Sequence, residues 1–445
     1  MVDRCTARRS PPKRCNNGSI PSSETIIGST GPQHVDRLQP RITVDQHLKL
    51  YKIVLATLLF FSLILHARML WFQWSHVASG SGDFIAYYTA GKILNSGNTR
   101  DLSSFEIQEK IQQQLALPGQ KIFVPFYHAP YQALLVAPIA RLPYPTARLV
   151  WAALNLALLF IVFVVLVNIL GSTHKLLDGL ILTATYPTWI NSIQGHDAIM
   201  STLILVAVFD CLKNHREGLA GCMLALGLYK PQLVLPLGAM VLYSRQWGIA
   251  RTFVIAGFFL ACVSVLMLSW QGAIDLFSIV VSGEIRGTLT QASHMPNIKG
   301  LVILILGSSQ LAGLANVITA IISMVLLCGC ARLCKDGFGP ADPTLELKYS
   351  FALVTTLLIN FHSHAYEFIV LLAALIILFD YVLKVKPKLR YFRQSILVVL
   401  FIICIPIIPN VLQSYELISI YVLPVLALYC FIGLEIRTWQ WCQAG

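Results

Sequence analysis

Four short stretches of this chain carry the residues that can do acid–base or anion-binding chemistry. Asp83 lies in "SGSGDFIAYYTAGKILNSG" (79–97), preceded by Gly82 and followed by Tyr87 and Tyr88. His196 and Asp197 adjoin in "QGHDA", Lys230 precedes a proline in "YKPQ", and His362, His364 and Glu367 crowd "NFHSHAYEF". His128, Arg286, His294 and Asn297 complete the set of uncommon polar residues. A carboxylate can act as general base on an alcohol, because it accepts the proton as the new C–O bond forms. Lysine and arginine can hold a phosphate, arginine through two parallel bonds. Spacing alone does not name a sugar.

Each residue also has a purely structural use. Asp83 stands where a helix N-cap would, just ahead of "FIAYYTAGKIL". Lys230 can snorkel at a helix end, and "KP" breaks a helix and frees backbone groups that need partners. His364 and Glu367 can cap a helix with a local hydrogen bond, His128 and His196 can be interfacial packing, and Arg286 can be a solvated loop cation. Taken singly, both readings stay open. Ionisable groups are costly at membrane depth and usually line a pathway or cavity, so their convergence on one face argues for function.

The elements that must position these groups are membrane helices. Of 445 residues, 56% are hydrophobic and 12% charged, against about 25% charged in soluble domains. Mean hydropathy is +0.68, and apolar runs near span length recur. Spans are expected near 50–72, 148–170, 176–194, 197–213, 217–230, 231–244, 249–270, 309–331, 347–361, 365–384, 394–411 and 415–434, an all-α polytopic protein of about twelve transmembrane helices. The net charge of +12 reflects basic residues between spans, not a nucleic-acid partner. With both termini cytoplasmic, 22 of the 33 Lys and Arg fall on the inner side, as the positive-inside rule requires. Asp83 and the other three stretches then share the outer face.

The first outer loop carries two further elements. "DLSSFEIQEKIQQQLAL" (101–117) has near-helical apolar spacing, and "HAPYQALLVAPIARLPYPTA" (128–147) holds an apolar run too short to span. Both are expected to lie along the outer surface, the second as an interfacial or re-entrant helix. Residues 1–49 read as a disordered basic cytoplasmic tail, 50–434 as the membrane domain and 435–445 as a cytoplasmic C-terminal tail. "CGCARLC" (328–334) lacks paired zinc spacing, and no DxD occurs in the first outer loop, so no metal is expected.

"GDFIAYYTAG", "FYHAPYQALLVAPIARLPYPTARLVWAALN", "QGHDAIMSTLIL", "LAGCMLALGLYKPQLVLPL" and "NFHSHAYEFIVLL" occur in this order. Together they resemble glycosyltransferase family 87, the polyprenyl-phosphate-mannose-dependent mannosyltransferases of the GT-C superfamily, over roughly residues 50–385. The resemblance implies a GT-C-like fold with juxtamembrane helices in a long first outer loop. It implies a multi-pass cell-membrane enzyme of cell-envelope glycan assembly, with its active site on the extracytoplasmic face. The reaction implied moves a hexose, mannose by family expectation, from a polyprenyl-phosphate donor to a lipid or glycan acceptor with inversion, and needs no cofactor. Asp83 would be the general base. Lys230, His364, Arg286 and His128 would face the donor phosphate or sugar, and Tyr87, Tyr88, His196, Asp197 and Glu367 would surround the acceptor or support the site. The chain departs from the family pattern at Ala129 and at Glu367, where members commonly carry Pro and Asp. A transferase using another lipid-linked sugar such as arabinofuranose is the nearest alternative. A twelve-span secondary transporter is a second, although no internal repeat relates the two halves.

Overall fold

The computed structural model describes residues 44–78, 82–115, 122–286, 294–307, 311–339, 341–385, 391–404 and 417–444, with a few isolated positions between 387 and 415. Most of the expected N-terminal tail, residues 1–43, therefore lies outside the described residues, as does the side chain of Arg286. Among the described residues the structure is helical, with no strand.

The long loop after α1 (Val44–Ala78) contains α2 (Phe84–Asn95), α3 (Phe105–Gln113) and α4 (Pro130–Val136). Next come α5 (Tyr144–Leu170), α6 (Lys175–Thr183), α7 (Tyr186–Gln194), α8 (Ala198–Lys213), α9 (Glu217–Leu226) and α10 (Pro231–Tyr243). The remainder is α11 (Trp247–Arg286), α12 (Ile298–Leu306), α13 (Ala312–Leu333), α14 (Leu345–Ile359), α15 (Ile369–Lys384), α16 (Phe392–Cys404) and α17 (Val422–Ala444). The last helix thus continues well past residue 434.

Among the described residues, six stretches are long and apolar enough to cross a bilayer: Lys49–Phe72, Tyr144–Leu170, Trp247–Val281, Ala312–Leu333, Ala365–Lys384 and Ile418–Cys442. The other six expected spans fall on shorter helices. The reason is clearest at 176–194. Pro187 has no N–H to give and its ring would clash with the carbonyl of residue 183, so one expected helix becomes two, α6 and α7, with Pro187 in the first turn of the second. The break frees the Ala184 carbonyl, and α1 answers it. Ser62 Oγ donates to that oxygen at 2.6 Å, and His66 Nδ1 lies 3.2 Å away. His66 in turn stacks on Trp189 of α7.

Helix α15 occupies the middle of the bundle, buried from Ile369 to Val382, as a helix apolar on every side should be. Around it pack α14, α8 and α16. Helices α11 and α13 sit at the periphery with exposed Phe258, Phe259, Leu266, Ile321 and Met324. Chain direction separates two ends. Helix α8 runs from Ala198, next to Asp197, to Lys213, and Lys213 pairs with Glu346 at the start of α14 at 2.7 Å. That end also carries the Lys348–Asp342 and Lys384–Asp380 pairs. The opposite end holds the residues singled out from the sequence.

Helix α11 is really two helices. Ser269 (φ 67°, ψ 167°) interrupts it in a region of backbone space that glycine occupies almost alone. Thr99, in the long loop between α1 and α5, donates to the neighbouring Met267 carbonyl. The second half of α11 leans on that loop.

Candidate active site

Two turns meet backbone to backbone at the site. Gly82 (φ +97°) packs so closely on Gln194 that a Cβ there would lie 2.8 Å from the Gln194 carbonyl oxygen. Gly195 (φ +67°) would place a Cβ 2.8 Å from Phe84 and 2.9 Å from the Arg148 guanidinium. Only glycine fits both positions. From α5, Trp151 Nε1 donates to the Gly195 carbonyl at 2.7 Å, and Arg148 Nη2 donates to the carbonyls of Ser192 and Ile193 at 2.5 and 3.0 Å. This clasp fixes Asp83 against His196 and Asp197.

Asp83 stands at the N-cap position of α2, yet its side chain makes no capping bond. Its Oδ2 is inaccessible and has no hydrogen-bond partner among the described residues. Burial raises the carboxyl to about 6, against the opposing pull of Lys230 and of a hydrogen bond from Tyr366. The capping role that the sequence allowed is therefore not the one Asp83 takes. Its carboxylate is aimed instead into a cavity of about 100 Å³, lined also by Tyr87, Tyr127, His128, His196, His362, His364 and Tyr366.

Behind this cavity lies a charged cluster. Lys230, at the break between α9 and α10, sits 2.6 Å from Asp197 Oδ1 and 3.3 Å from Glu367 Oε1, and all three side chains are buried. Gln132 Nε2 of α4 donates to the other Asp197 oxygen, and His196 Nδ1 lies 3.1 Å from Oδ1. Asn360 Nδ2 donates to Glu367 Oε2 at 2.7 Å, and Asn297 Nδ2 donates to the Asn360 carbonyl at 2.6 Å. Lys230 thus answers two carboxylates from different parts of the chain.

The cavity walls are aromatic. His196 stacks on Tyr366 with ring centres 3.8 Å apart, and the Tyr127 hydroxyl meets His362 Nε2 at 2.6 Å. Tyr87 holds its ring against His128, His196 and Trp151. Burial lowers His128 to about 4 and His364 to about 3, and takes His196 well below the ordinary range. At neutral pH these rings are uncharged, and each offers one N–H donor and one lone pair.

Tyr127, His128 and His362 also line the mouth of a second, larger space. It is a groove of about 470 Å³ running along both halves of α11, past Gly257, Ala261, Val265, Leu276 and Val280.

The structure brings together Asp83, Tyr87, His128, His196 and His364 on the cavity, with Asp197, Lys230 and Glu367 directly behind. Tyr88 points elsewhere: its hydroxyl donates to the Leu142 carbonyl at 2.8 Å and its ring meets Tyr144. Tyr127, Tyr366, Gln132, Asn360 and Arg148 were not anticipated from the sequence. One signal was present. Residues 360–364 are not helical, and His362, His364 and Tyr366 recur at the period of two that places extended side chains on one face.

The family model for glycosyltransferase family 87 matches residues 126–360, more than half of the chain. The chain belongs to glycosyltransferase family 87. No curated protein and no solved structure matches it. It is therefore a membrane glycosyltransferase, with a sugar donor and an acceptor as its substrates. The matched region contains His128, His196, Asp197 and Lys230. Asp83 lies before it and His362, His364 and Glu367 lie after it, so the fold, not the matched segment, unites the family core with the carboxylate that faces the cavity.

Proposed function

We propose that this protein transfers a hexose, mannose by family expectation, from a polyprenyl-phosphate donor to a hydroxyl of a lipid or glycan acceptor. The observation that carries the reading is the contiguity of two spaces. A small polar cavity holds an unpartnered carboxylate oxygen, and an apolar groove shares Tyr127, His128 and His362 with it. A lipid-linked sugar needs that pairing, one space for the sugar and acceptor and the other for an isoprenoid chain.

In this reading Asp83 takes the proton of the acceptor hydroxyl as its oxygen attacks the sugar C1. The C1–O bond to phosphate breaks on the opposite side, and polyprenyl phosphate leaves. A single in-line displacement inverts a β-linked donor to an α-linked product. The neutral imidazoles of His128 and His364 supply N–H donors to sugar or phosphate oxygens. Lys230 is occupied by Asp197 and Glu367 and sets the field at Asp83. The short helices α6–α10, α14 and α16 complete a GT-C-like set of about twelve crossings, with the site on the extracytoplasmic face of the cell membrane and both termini cytoplasmic.

The test is transfer by purified wild type and Asp83→Asn in liposomes, with polyprenyl-phosphate mannose and a lipid-extract acceptor pool. Transfer by wild type that the variant loses supports both the reaction and the base. Transfer retained by Asp83→Asn removes Asp83 from the mechanism. Transfer only with another lipid-linked sugar, such as arabinofuranose, moves the assignment to that donor.

A further inference from the structure

Gln108 and Gln112 stand about one turn apart on α3, and both are 0% exposed. Buried amides need partners for both their ends. Each of these finds them on the backbone of a single residue. Phe126 N–H donates to Gln108 Oε1 at 2.7 Å, and Gln108 Nε2 donates to the Phe126 carbonyl at 3.0 Å. Val124 N–H donates to Gln112 Oε1 at 2.8 Å, and Gln112 Nε2 donates to the Val124 carbonyl at 2.7 Å.

This is the pairing a neighbouring strand would offer, supplied here by side chains. Four helical residues advance about 6 Å, and two extended residues advance about 6.6 Å. Amides at i and i+4 therefore meet backbone groups two residues apart. Residues 122–127 belong to no helix, and among the described residues 122–126 make no hydrogen bond to another backbone group. Pro125 fits between Val124 and Phe126 because its missing N–H falls on the edge turned away from α3. The two amides thus set where this strip lies.

The strip is a wall of the site. Val124, Pro125, Tyr127 and His128 line the Asp83 cavity, and Tyr127 and His128 line the large groove as well. Phe126 sets its ring edge-on to Tyr87 and close to His128. The Tyr127 ring stacks on His128, and its hydroxyl meets His362 Nε2. Any sliding of the strip along α3 displaces the Tyr127 hydroxyl and the His128 ring together.

We infer that Gln108 and Gln112 are positioning residues for sugar transfer, acting through this strip to hold Tyr127 and His128 where the cavity meets the groove. The inference rests on the proposed reading that a lipid-linked sugar crosses that corner. Neither glutamine touches the substrate. Their effect is on alignment, where a displacement of about 1 Å can cost about 10²-fold in rate.

Gln112→Met is the cleaner probe. It keeps the length of the side chain and removes the amide, and Val124 is only half-buried, so water can take up its freed N–H and carbonyl. Gln108→Met, which leaves the groups of buried Phe126 unpaired, is the second variant. The full chain in nanodiscs is assayed with polyprenyl-phosphate mannose and with its arabinofuranose counterpart. Fluorine NMR of 3-fluorotyrosine in place of Tyr127 reports the surroundings of that ring without substrate. In Gln112→Met we expect kcat to fall about tenfold to a hundredfold with donor KM little changed. The thermal midpoint should stay close to wild type, and the fluorine resonance should move or broaden. Gln108→Met should move the same resonance with a larger fall in midpoint. A lower midpoint with kcat and the resonance both held makes the glutamines a brace of the fold and overturns the inference. A resonance fixed in both variants overturns the link from α3 to Tyr127, and one that moves at unchanged kcat overturns the link from the strip to transfer. If wild type moves neither sugar, the proposed donor fails, and the fluorine signal alone decides whether the amides set Tyr127.

Discussion

The ammonium of Lys230 and the carboxylate of Asp197 lie 2.6 Å apart, with both side chains withdrawn from solvent. Glu367 shares the same ammonium at 3.3 Å. One cation therefore ties the start of α8, the α9–α10 break and the entry to α15 into a single polar knot beneath Asp83.

Breaking that knot should cost stability before it costs substrate affinity. Lys230→Met leaves two buried carboxylates without their counter-ion, a loss of about 3–5 kcal/mol. A fall in the thermal midpoint with donor and acceptor use impaired alike is expected. Adding Asp197→Asn should recover part of the midpoint, and a double-mutant cycle with no coupling would mean that the pair does not form. A selective rise in donor KM at unchanged stability would instead place Lys230 on the phosphate.

With Asp83 as the proposed base, its raised carboxyl predicts a pH limb. Only the ionised form accepts a proton, so kcat/KM should fall as pH drops through about 6 and level off above it. Tyr366→Phe removes a hydrogen bond that favours the ionised form, so the limb should move to higher pH. Asp83→Asn should lose about 10²–10⁴ in kcat without unfolding the protein. A limb unmoved in Tyr366→Phe would detach that hydroxyl from the base.

The two facing glycines should tolerate nothing larger. Gly82→Ala and Gly195→Ala each combine a positive φ with a Cβ under 3 Å from its neighbour. A cost of about 1–3 kcal/mol each is expected from the backbone conformation alone. Activity should fall further than stability, because the clash pushes Asp83 and the His196–Asp197 turn apart. Unimpaired turnover in both alanine variants would show that this seat does not govern the geometry.

Filling the large groove should discriminate donors by chain length. Ala261→Trp narrows the space along α11. The KM for a long polyprenyl donor is expected to rise severalfold more than that for a short-chain analogue. An equal effect on both would take the isoprenoid chain out of this groove.

Labelling tests the sidedness of the bundle. In a cysteine-free background, a cysteine at Ser104 should react with an impermeant maleimide from outside intact cells. One at Asn214, after α8, should react only once the inner face is opened. The reverse pattern would invert the proposed topology.

Much of this was legible in the sequence because it rests on period and charge. Long apolar runs gave α1, α5, α11, α13, α15 and α17, and the uneven distribution of Lys and Arg between the loops put Asp83, His196, Lys230 and His364 at one end. The split of the expected 176–194 span was not legible, because hydropathy does not register a broken hydrogen-bond ladder. Pro187 splits α6 from α7, and the Ser62 and His66 groups that make the break tolerable sit about 120 residues earlier. Partners fixed by tertiary contact were equally hidden. Nothing local to Arg148 says that it seats a turn 44 residues away, and nothing local to Tyr366 says that its ring covers His196. Tyr88 looked equivalent to Tyr87 by adjacency, but successive helical positions face different ways.

The seat of Gly82 on Gln194 has a consequence for the order in which the enzyme is made. Asp83 emerges 111 residues before the backbone it rests on and 283 before the tyrosine that hydrogen-bonds to it. At roughly 5–20 residues per second, synthesis of that second interval takes about 15–60 s. Through that time the nascent chain has the Asp83 carboxylate but no cavity around it. Competence to transfer sugar arrives in one step, when α14 and the stretch leading into α15 insert beside helices already in the membrane. A chain cut short anywhere before that point lacks the walls of the cavity, and the cell needs no separate device to keep unfinished copies from acting on the sugar donor.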